Sequence, residues 1–265
     1  MTEKWDGPTD QVRPGKKKIE QLQYSSDARE SQDRFTLLDE KIFHIFVKAG
    51  EVIEVRIPKN NGHPTQSGYF DNFKDFRNAV ANAIQGQQGN VYFSLQVVDP
   101  RLIGRAYNRL KTGDMTTSDG NVLFYRWIPL DLDPTRPAGI SSSDTELQKA
   151  IELRDVISDF LRDATDFRFM TAVSGNGGHI LIRLPEDLPV NNENKAYVKD
   201  FLENIYQNFS SDDIAVDTSV FNPSRIWKLY GTRSMKGDQI PANQYREARV
   251  HRDSYIDSLG GLENE

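Results

Sequence analysis

The stretch Ile128-Pro129-Leu130-Asp131-Leu132-Asp133-Pro134 decides the fold that the sequence predicts. It ends an apolar run that starts at Val122 and is rich in aromatic and branched residues, which is typical of a buried β-strand. Side chains alternate between the two faces of a strand, so Asp131 and Asp133 point to the same side. Two carboxylates placed in this way repel each other, and a hard cation such as Mg²⁺ or Mn²⁺ between them removes that cost. Because Asp and Pro also end strands in ordinary turns, this stretch alone leaves both interpretations open.

A second candidate segment is Ser174-Gly175-Asn176-Gly177-Gly178-His179, which joins two predicted strands. Glycines let a turn approach a ligand closely and expose N–H groups that suit phosphate oxygens. Ser174 adds a hydroxyl donor and His179 an imidazole. The alternative is a Gly-rich hairpin turn that happens to end in His. The segment lacks the Gly-Lys-Ser/Thr pattern of a P-loop, and no helix follows it directly as in a dinucleotide-binding fold.

A third candidate region begins at Asp217, which ends a short apolar strand as Asp133 does and is a candidate third carboxylate ligand. Further on, Arg225 and Lys228 lie in a segment otherwise suited to burial. A buried cation needs an anionic partner, which is either a protein carboxylate or a phosphate of a ligand. The sequence leaves both open. Taken together, three carboxylates, a Gly/Ser/His turn and two cations suit metal-assisted phosphoryl transfer.

The bulk composition limits the class of protein. The 265 residues are 37% hydrophobic and 27% charged, with a formal net charge of -6. Such a balance argues against indiscriminate nucleic-acid binding but permits basic residues gathered in one groove. The absence of Cys excludes disulfides and thiolate zinc sites. No apolar run approaches a membrane span of about 20 residues, and we predict a cytoplasmic protein without a membrane partner.

The chain organisation predicts an α+β fold. We predict that residues 1–35 form a disordered polar arm, 36–120 a smaller N-terminal α/β lobe, 121–255 a palm and 256–265 a tail. Within the lobe, the segments 41–47 and 52–57 are predicted to pair as a hairpin, and Asp71 to cap a helix. From residue 122 the order strand, helix, strand, strand, helix, strand matches a split βαβ, RRM-like unit with a mixed or antiparallel sheet. The second of these helices has a core stripe formed by Val198, Phe201, Leu202, Ile205 and Phe209.

The order and wording of the three motifs resemble the archaeo-eukaryotic primase superfamily, in particular its primase-polymerase (prim-pol) branch of plasmid, phage and CRISPR-associated type. The matching motifs are Leu130-Asp131-Leu132-Asp133, the turn from Ser174 to His179, and Val216-Asp217. The segment from Arg225 to Thr232 is similar to the branch's basic segment, although Tyr230 stands where Pro is common. The resemblance covers about residues 37–250.

This resemblance implies a catalytic core with an RRM-like palm and template-directed DNA synthesis from dNTPs or NTPs, with possible de novo primer synthesis. It implies a two-metal Mg²⁺ or Mn²⁺ site, with single-stranded DNA template and primer as partners, and a helicase domain or replication or CRISPR proteins as further ones. The implied metal ligands and catalytic residues are Asp131, Asp133 and Asp217. The implied nucleotide contacts are Ser174, Asn176, His179, Arg225, Lys228 and Lys236.

Three other functions compete with this hypothesis. A non-catalytic single-stranded nucleic-acid-binding module of a replication initiator would bind bases on exposed aromatics and would not need the three carboxylates to converge. A nicking relaxase needs a pair of metal-binding His residues, and His179-Ile180-Leu181 supplies one. A metal-dependent phosphohydrolase shares the carboxylates but requires a site that activates water.

Overall fold

The structure is a computed structural model, and it describes residues 34–60, 62–86, 89–113 and 115–251. The predicted tail lies outside these ranges, as does the predicted arm except for its last two residues, which form a short strand. No helix in the described part of the chain is both long enough and apolar enough to cross a membrane.

The strands and helices are numbered here in chain order. They are β1 (Arg34–Phe35), α1 (Glu40–Phe46), β2 (Ile53–Ile57), β3 (Gln66–Phe70), α2 (Phe73–Gln85), β4 (Tyr92–Ser94), β5 (Val97–Val98), β6 (Lys111–Thr112), β7 (Val122–Pro134), α3 (Asp144–Ala164), β8 (Arg168–Val173), β9 (Gly178–Pro189), α4 (Asn192–Phe209), β10 (Ile214–Val216), β11 (Ile226–Lys228), β12 (Arg233–Ser234), β13 (Arg246–Glu247) and β14 (Arg249–His251). Short 3₁₀ helices cover Pro100–Arg105, Asp119–Asn121 and Thr218–Phe221.

The larger sheet is antiparallel and is built around β7. Its strand order is β1-β14-β8-β9-β7-β10, and β5 pairs with the start of β7. Helix α3 connects β7 to β8, and β9 lies between these two strands. The predicted α+β class with an antiparallel sheet is therefore confirmed.

Helix α3 begins at a capping box, and helix α4 packs as its sequence predicts. Ser143 and Glu146 form a capping box, in which Glu146 Oε2 accepts the N–H of Ser143 at 2.7 Å. In α4 the predicted stripe is buried along its whole length. These helices contribute to a hydrophobic core that is continuous with the smaller sheet, where Phe46 packs against both Phe93 and Trp127.

The smaller sheet has the strand order β11-β4-β2-β3-β6. The predicted hairpin of 41–47 with 52–57 is wrong, because residues 40–46 form helix α1 and β2 pairs with β3 instead. The buried residues Ile42, Phe43 and Phe46 follow the spacing of one helical face, which the short apolar run 41–47 fits as readily as the alternation of a strand. The cap of α2 is Asn72, whose side chain accepts the N–H of Asp75, and not Asp71.

The two sheets exchange strands across the predicted boundary near residue 120. Strand β5 comes from the N-terminal part and pairs with β7, while β11 comes from the C-terminal part and pairs with β4. The division into a lobe and a palm stays a prediction. The exchange matters for the site, because β11 carries Trp227, whose ring packs against His179 of β9.

Candidate active site

The site is built on the C-terminal end of β7, between β9 and β10. Asp131 lies opposite His179 of β9, and the N–H of Asp217 donates to the Asp131 carbonyl oxygen at 2.8 Å on the other side. Directly opposed residues in antiparallel strands share a face. Asp131, Asp133, His179 and Asp217 therefore belong to one face at one strand end. The side chains of Asp131 and Asp133 are 25% and 40% exposed, so both are open to a ligand.

The two carboxylates of β7 have pKa values that move in opposite directions. Burial opposes ionisation of Asp131, but the hydrogen bond and charge of His179, together with Lys236 and Arg136, lower its pKa below the ordinary range. Burial and the neighbouring charge of Asp131 raise the pKa of Asp133 above its ordinary value. Asp131 is thus the more readily ionised of the two carboxylates, and its negative charge disfavours the ionised form of Asp133.

His179 is held on three sides. Its Nε2 lies 3.4 Å from Asp131 Oδ1, and its Nδ1 lies 3.0 Å from the hydroxyl oxygen of Tyr230. The Trp227 ring packs against the imidazole with 4.2 Å between ring centroids. Sequence reasoning assigned no role to Tyr230 or Trp227, since both read as core residues.

Two cations face Asp133. Lys236 Nζ lies 3.7 Å from Asp133 Oδ2, and Arg136 lies 3.7 Å from Oδ1. The Arg136 guanidinium also donates to the Pro134 carbonyl oxygen at 2.9 Å, which fixes it beside the strand end. Arg136 was not among the predicted site residues, although its position three residues after Asp133 was a usable signal.

Lys228 is a buried cation. Its Nζ donates to the carbonyl oxygens of Arg233 at 2.8 Å and Val91 at 3.4 Å, and it lies 5.5 Å from the centroid of the Tyr92 ring. Burial lowers the pKa of Lys228 to about 7, and among the described residues no carboxylate pairs with it. Burial and then the charges of Asp131 and Asp133 raise the pKa of Tyr92, which places this tyrosine within electrostatic reach of both carboxylates.

The Gly-rich turn packs directly against β7. A Cβ atom added at Gly177 would lie 2.3 Å from the Leu132 carbonyl oxygen and 2.8 Å from Asp133 Oδ1, so the close approach requires glycine. Ser174 Oγ accepts the N–H groups of Asn176 and Gly177, at 3.2 and 2.9 Å. The buried Asn176 Oδ1 accepts the N–H of Ser142 at 2.9 Å. Ser174 therefore acts within the turn, and Asn176 links the turn to the segment before α3. Their contact with a nucleotide stays a prediction.

Asp217 and Arg225 meet at the short helix that follows β10. Asp217 Oδ1 accepts the N–H of Ser219 at 2.7 Å, and the Arg225 guanidinium donates to the Ser219 carbonyl oxygen at 2.9 Å. Over residues 34–60, 62–86, 89–113 and 115–251, no group of three or more His, Cys, Asp or Glu side chains is arranged to hold a metal ion. Convergence of the three carboxylates thus stays a prediction, and so does the nucleotide contact of Arg225.

The donor set at the end of β7 nevertheless fits a divalent cation. Two carboxylates on one face, one of them destabilised by the other, are the hard oxygen ligands that Mg²⁺ and Mn²⁺ prefer. Asp217 is on the adjoining strand end, but its carboxylate is turned toward Ser219.

The fold is antiparallel α+β, and carboxylates and cations lie together at the end of one strand. A site of this class suits chemistry on phosphate groups.

Two solved structures are similar to the chain. The first is "Cyanophage S-2L Primase-Polymerase (PrimPol), AEP domain (PP-N190)", with 11% identity, a TM-score of 0.45, and coverage of 84% of this chain and 95% of that one. The second is "Polymerase Domain from Mycobacterium tuberculosis Ligase D in complex with DNA", with 13% identity, a TM-score of 0.38, and coverage of 85% and 88%.

No protein-family model and no curated protein matches the chain. The functional proposal below therefore rests on the site itself.

Proposed function

We propose that this protein is a metal-dependent nucleotidyltransferase of primase-polymerase type. It transfers nucleotides from dNTPs or NTPs to a 3′-hydroxyl on a single-stranded DNA template. The β7, α3, β8, β9, α4 and β10 unit serves as its RRM-like palm, which the strand order β8-β9-β7-β10 supports. A helicase domain and replication or CRISPR proteins stay predicted partners.

One observation carries the proposal: both signs of charge are concentrated at the end of β7. The carboxylates of Asp131 and Asp133 suit a divalent cation, and the cations of Arg136 and Lys236 each lie 3.7 Å from Asp133. Lys228, which no described carboxylate neutralises, is proposed as a further contact of a ligand phosphate, since a buried cation without an anionic partner is costly. Template-directed synthesis needs both parts, since a nucleoside triphosphate brings metal ions and phosphates to the same place.

In the proposed reaction the 3′-oxygen forms a bond to the α-phosphorus, and the bond from that phosphorus to the bridging oxygen of pyrophosphate breaks. Asp131 and Asp133 would hold divalent ions, and Asp217 would join them by turning away from Ser219. Ions bound there would supply Lewis-acid activation of the 3′-hydroxyl, whose proton passes to solvent, and charge neutralisation of the departing pyrophosphate.

The chain's own cations then position the substrate. Lys228 and Lys236 hold phosphate oxygens from the two sides of the site, and Arg136 reinforces the side of Asp133. His179 Nε2 faces the same space beside Asp131 and donates to a phosphate oxygen. Holding the triphosphate in line with the attacking oxygen lowers the entropic part of the barrier.

The proposal is tested by incubating the protein with single-stranded DNA, Mn²⁺ and labelled dNTPs or NTPs, with and without a primer. Primer-free products establish a primase-polymerase, and extension alone establishes a polymerase. Nucleotide hydrolysis without incorporation would identify a phosphohydrolase. Absence of both reactions, with DNA binding retained, would overturn the proposal in favour of a non-catalytic module.

Replacement of Lys236 by Met is expected to raise the nucleotide concentration required for half-maximal synthesis by about tenfold, the effect of one lost charge contact with phosphate of about 1.4 kcal/mol. Lys236 lowers the pKa of Asp133, so its removal raises that pKa further and a larger fraction of Asp133 is protonated at a given pH. The loss of activity on acidification therefore begins at a higher pH in the variant. The measurement is a nucleotide titration of primer extension at several pH values.

The matched control is Lys199→Met, which removes a half-exposed lysine from a surface pair with Glu203 on α4. We expect this control to behave as the wild type. Equal nucleotide requirements in all three proteins would contradict a role for Lys236 in holding phosphate.

A further inference from the structure

We infer that Tyr230 is a positioning residue that locks the imidazole of His179 in the tautomer with its proton on Nε2, so that a permanent N–H donor faces Asp131 and the substrate. The inference rests on the proposed function for the substrate that this donor meets. The hydrogen-bond argument itself depends only on the geometry of three side chains.

The three side chains form a buried chain of hydrogen bonds. Trp227, Tyr230 and His179 are 3%, 0% and 2% exposed, so water does not compete for their polar atoms. Trp227 Nε1 lies 2.8 Å from the Tyr230 hydroxyl oxygen, which in turn lies 3.0 Å from His179 Nδ1. On the far side of the ring, Nε2 lies 3.4 Å from Asp131 Oδ1.

The direction of each hydrogen bond follows from what each group can do. An indole N–H only donates, so the Tyr230 oxygen accepts from Trp227. The tyrosine has one hydrogen of its own, and among the described residues its only other partner is His179 Nδ1. If Nδ1 carried a proton, two donors would point at the same oxygen and the buried hydroxyl hydrogen would have no acceptor, which is unfavourable. Tyr230 therefore donates to Nδ1, and the proton of the neutral ring lies on Nε2.

This arrangement assigns a chemical role to His179. With its Nδ1 lone pair used by Tyr230 and a hydrogen on Nε2, the ring is a donor to anions and has no free lone pair for a metal ion. The Trp227 ring packed at 4.2 Å prevents the imidazole from turning over. Asp131 thus remains free to use its second oxygen for a cation, while His179 supplies the donor beside it.

The test is a long-range ¹H–¹⁵N NMR measurement of the imidazole nitrogens at a pH where the ring is neutral. The chain has 4 His residues, and a His179→Gln variant identifies the signal of His179. In the wild type we expect the Nε2–H tautomer. Because the Asp131 carboxylate also favours a hydrogen on Nε2, the contribution of Tyr230 is measured with Asp131→Ala present in every variant, the control included. In Asp131→Ala we expect the Nε2–H tautomer, and in Asp131→Ala/Tyr230→Phe, which keeps the ring but removes the hydroxyl, a larger fraction of the Nδ1–H tautomer. A wild-type ring with its proton on Nδ1, or equal tautomer populations in these two variants, would overturn the inference.

The matched control is Tyr125→Phe. Tyr125 is also buried, and its hydroxyl donates to the Phe221 carbonyl oxygen at 3.0 Å, so the control loses one buried hydrogen bond without touching His179. We expect its His179 tautomer, with Asp131→Ala present, to match that of Asp131→Ala alone. A tautomer shift in this control as well would show that general loosening moves the ring, and would overturn the specific role of Tyr230.

The second readout is kinetic and separates the inference from the proposed function. In Tyr230→Phe the KM for the nucleotide should rise by about tenfold while kcat changes less, which corresponds to one weakened hydrogen bond to a charged group. An unchanged nucleotide KM alongside a shifted tautomer would contradict the contact with substrate. If the wild type makes no product but the tautomer depends on Tyr230, the proposed function is wrong, whereas the inference that Tyr230 fixes the tautomer of His179 is confirmed.

Discussion

Replacement of Asp131 by Asn is expected to reduce nucleotide incorporation on the order of a thousandfold or more, the range found when a group that stabilises transition-state charge is removed. The substitution keeps the shape of the side chain but removes the firmer of the two negative charges at the end of β7. Asp133 then remains as a carboxylate with a raised tendency to stay ionised, since the repulsion by Asp131 is gone. One carboxylate binds a divalent ion far more weakly than a pair.

The same substitution should leave the fold intact. Asp131 is partly exposed, and its removal relieves like-charge repulsion while the backbone pairing of β7 with β9 and β10 is unchanged. We expect the unfolding midpoint to stay within a few degrees of the wild type, which corresponds to about 1 kcal/mol or less. Primer extension with Mn²⁺, thermal unfolding and the relaxation enhancement of water protons by bound Mn²⁺ measure the three effects.

Asp213→Asn is the matched control for this experiment. Asp213 lies just before β10 and pairs at the surface with Lys149, so the control removes an exposed carboxylate close to the site but outside it. Its activity and Mn²⁺ binding should equal those of the wild type. An Asp131→Asn protein that keeps a tenth or more of the wild-type activity would refute the assignment of the active site.

Replacement of Lys228 by Met is expected to raise the stability of the free protein at neutral pH and to abolish most of its activity. Burial has lowered the pKa of Lys228 from 10.5 to about 7, so the charged form of Lys228 destabilises the folded state. The difference corresponds to at most about 5 kcal/mol of unfolding free energy. Loss of the bonds to Val91 and Arg233 leaves two carbonyl oxygens without this donor, which reduces the net gain to about 1–3 kcal/mol.

The lowered pKa of Lys228 determines how the stability of the wild type changes with pH. Between pH 7 and 10.5 the unfolded chain binds a proton at Lys228 that the folded protein does not, so wild-type stability from this group rises with pH across that window. Below pH 7 both states are protonated and the destabilisation is complete. The stability advantage of Lys228→Met should therefore be largest at or below pH 7 and should shrink toward pH 10. Urea unfolding of both proteins between pH 6 and 9.5 measures this difference.

Nucleotide binding should reverse the order of the two proteins. A triphosphate supplies the anion that Lys228 lacks, so a nucleotide with Mn²⁺ should stabilise the wild type more than the variant. Lys149→Met, which removes an exposed lysine, is the control and should show neither effect. If Lys228→Met bound nucleotide as tightly as the wild type, Lys228 would not be a nucleotide contact.

Local patterns were enough to predict the elements on which the site stands. The alternation along 122–134 placed Asp131 and Asp133 on one face, and the spacing of apolar residues in α4 predicted its buried stripe. These patterns hold because the repeat of a strand or a helix is a property of the backbone. The pattern of 41–47 failed because a short apolar run fits both periods, and packing of Phe43 and Phe46 in the core decided for a helix.

The sequence by itself therefore determined the α+β class, the acidic end of β7 and the Gly-rich turn. The tertiary structure decided which distant groups meet. It brought β11 back to the smaller sheet, buried Lys228 with no described carboxylate paired with it, placed Tyr230 against His179 and set Arg136 beside Asp133. The physical reason is that strand pairing over roughly 100 residues follows from burial of a shared core, which depends on the whole chain and leaves no periodic signal in any single segment.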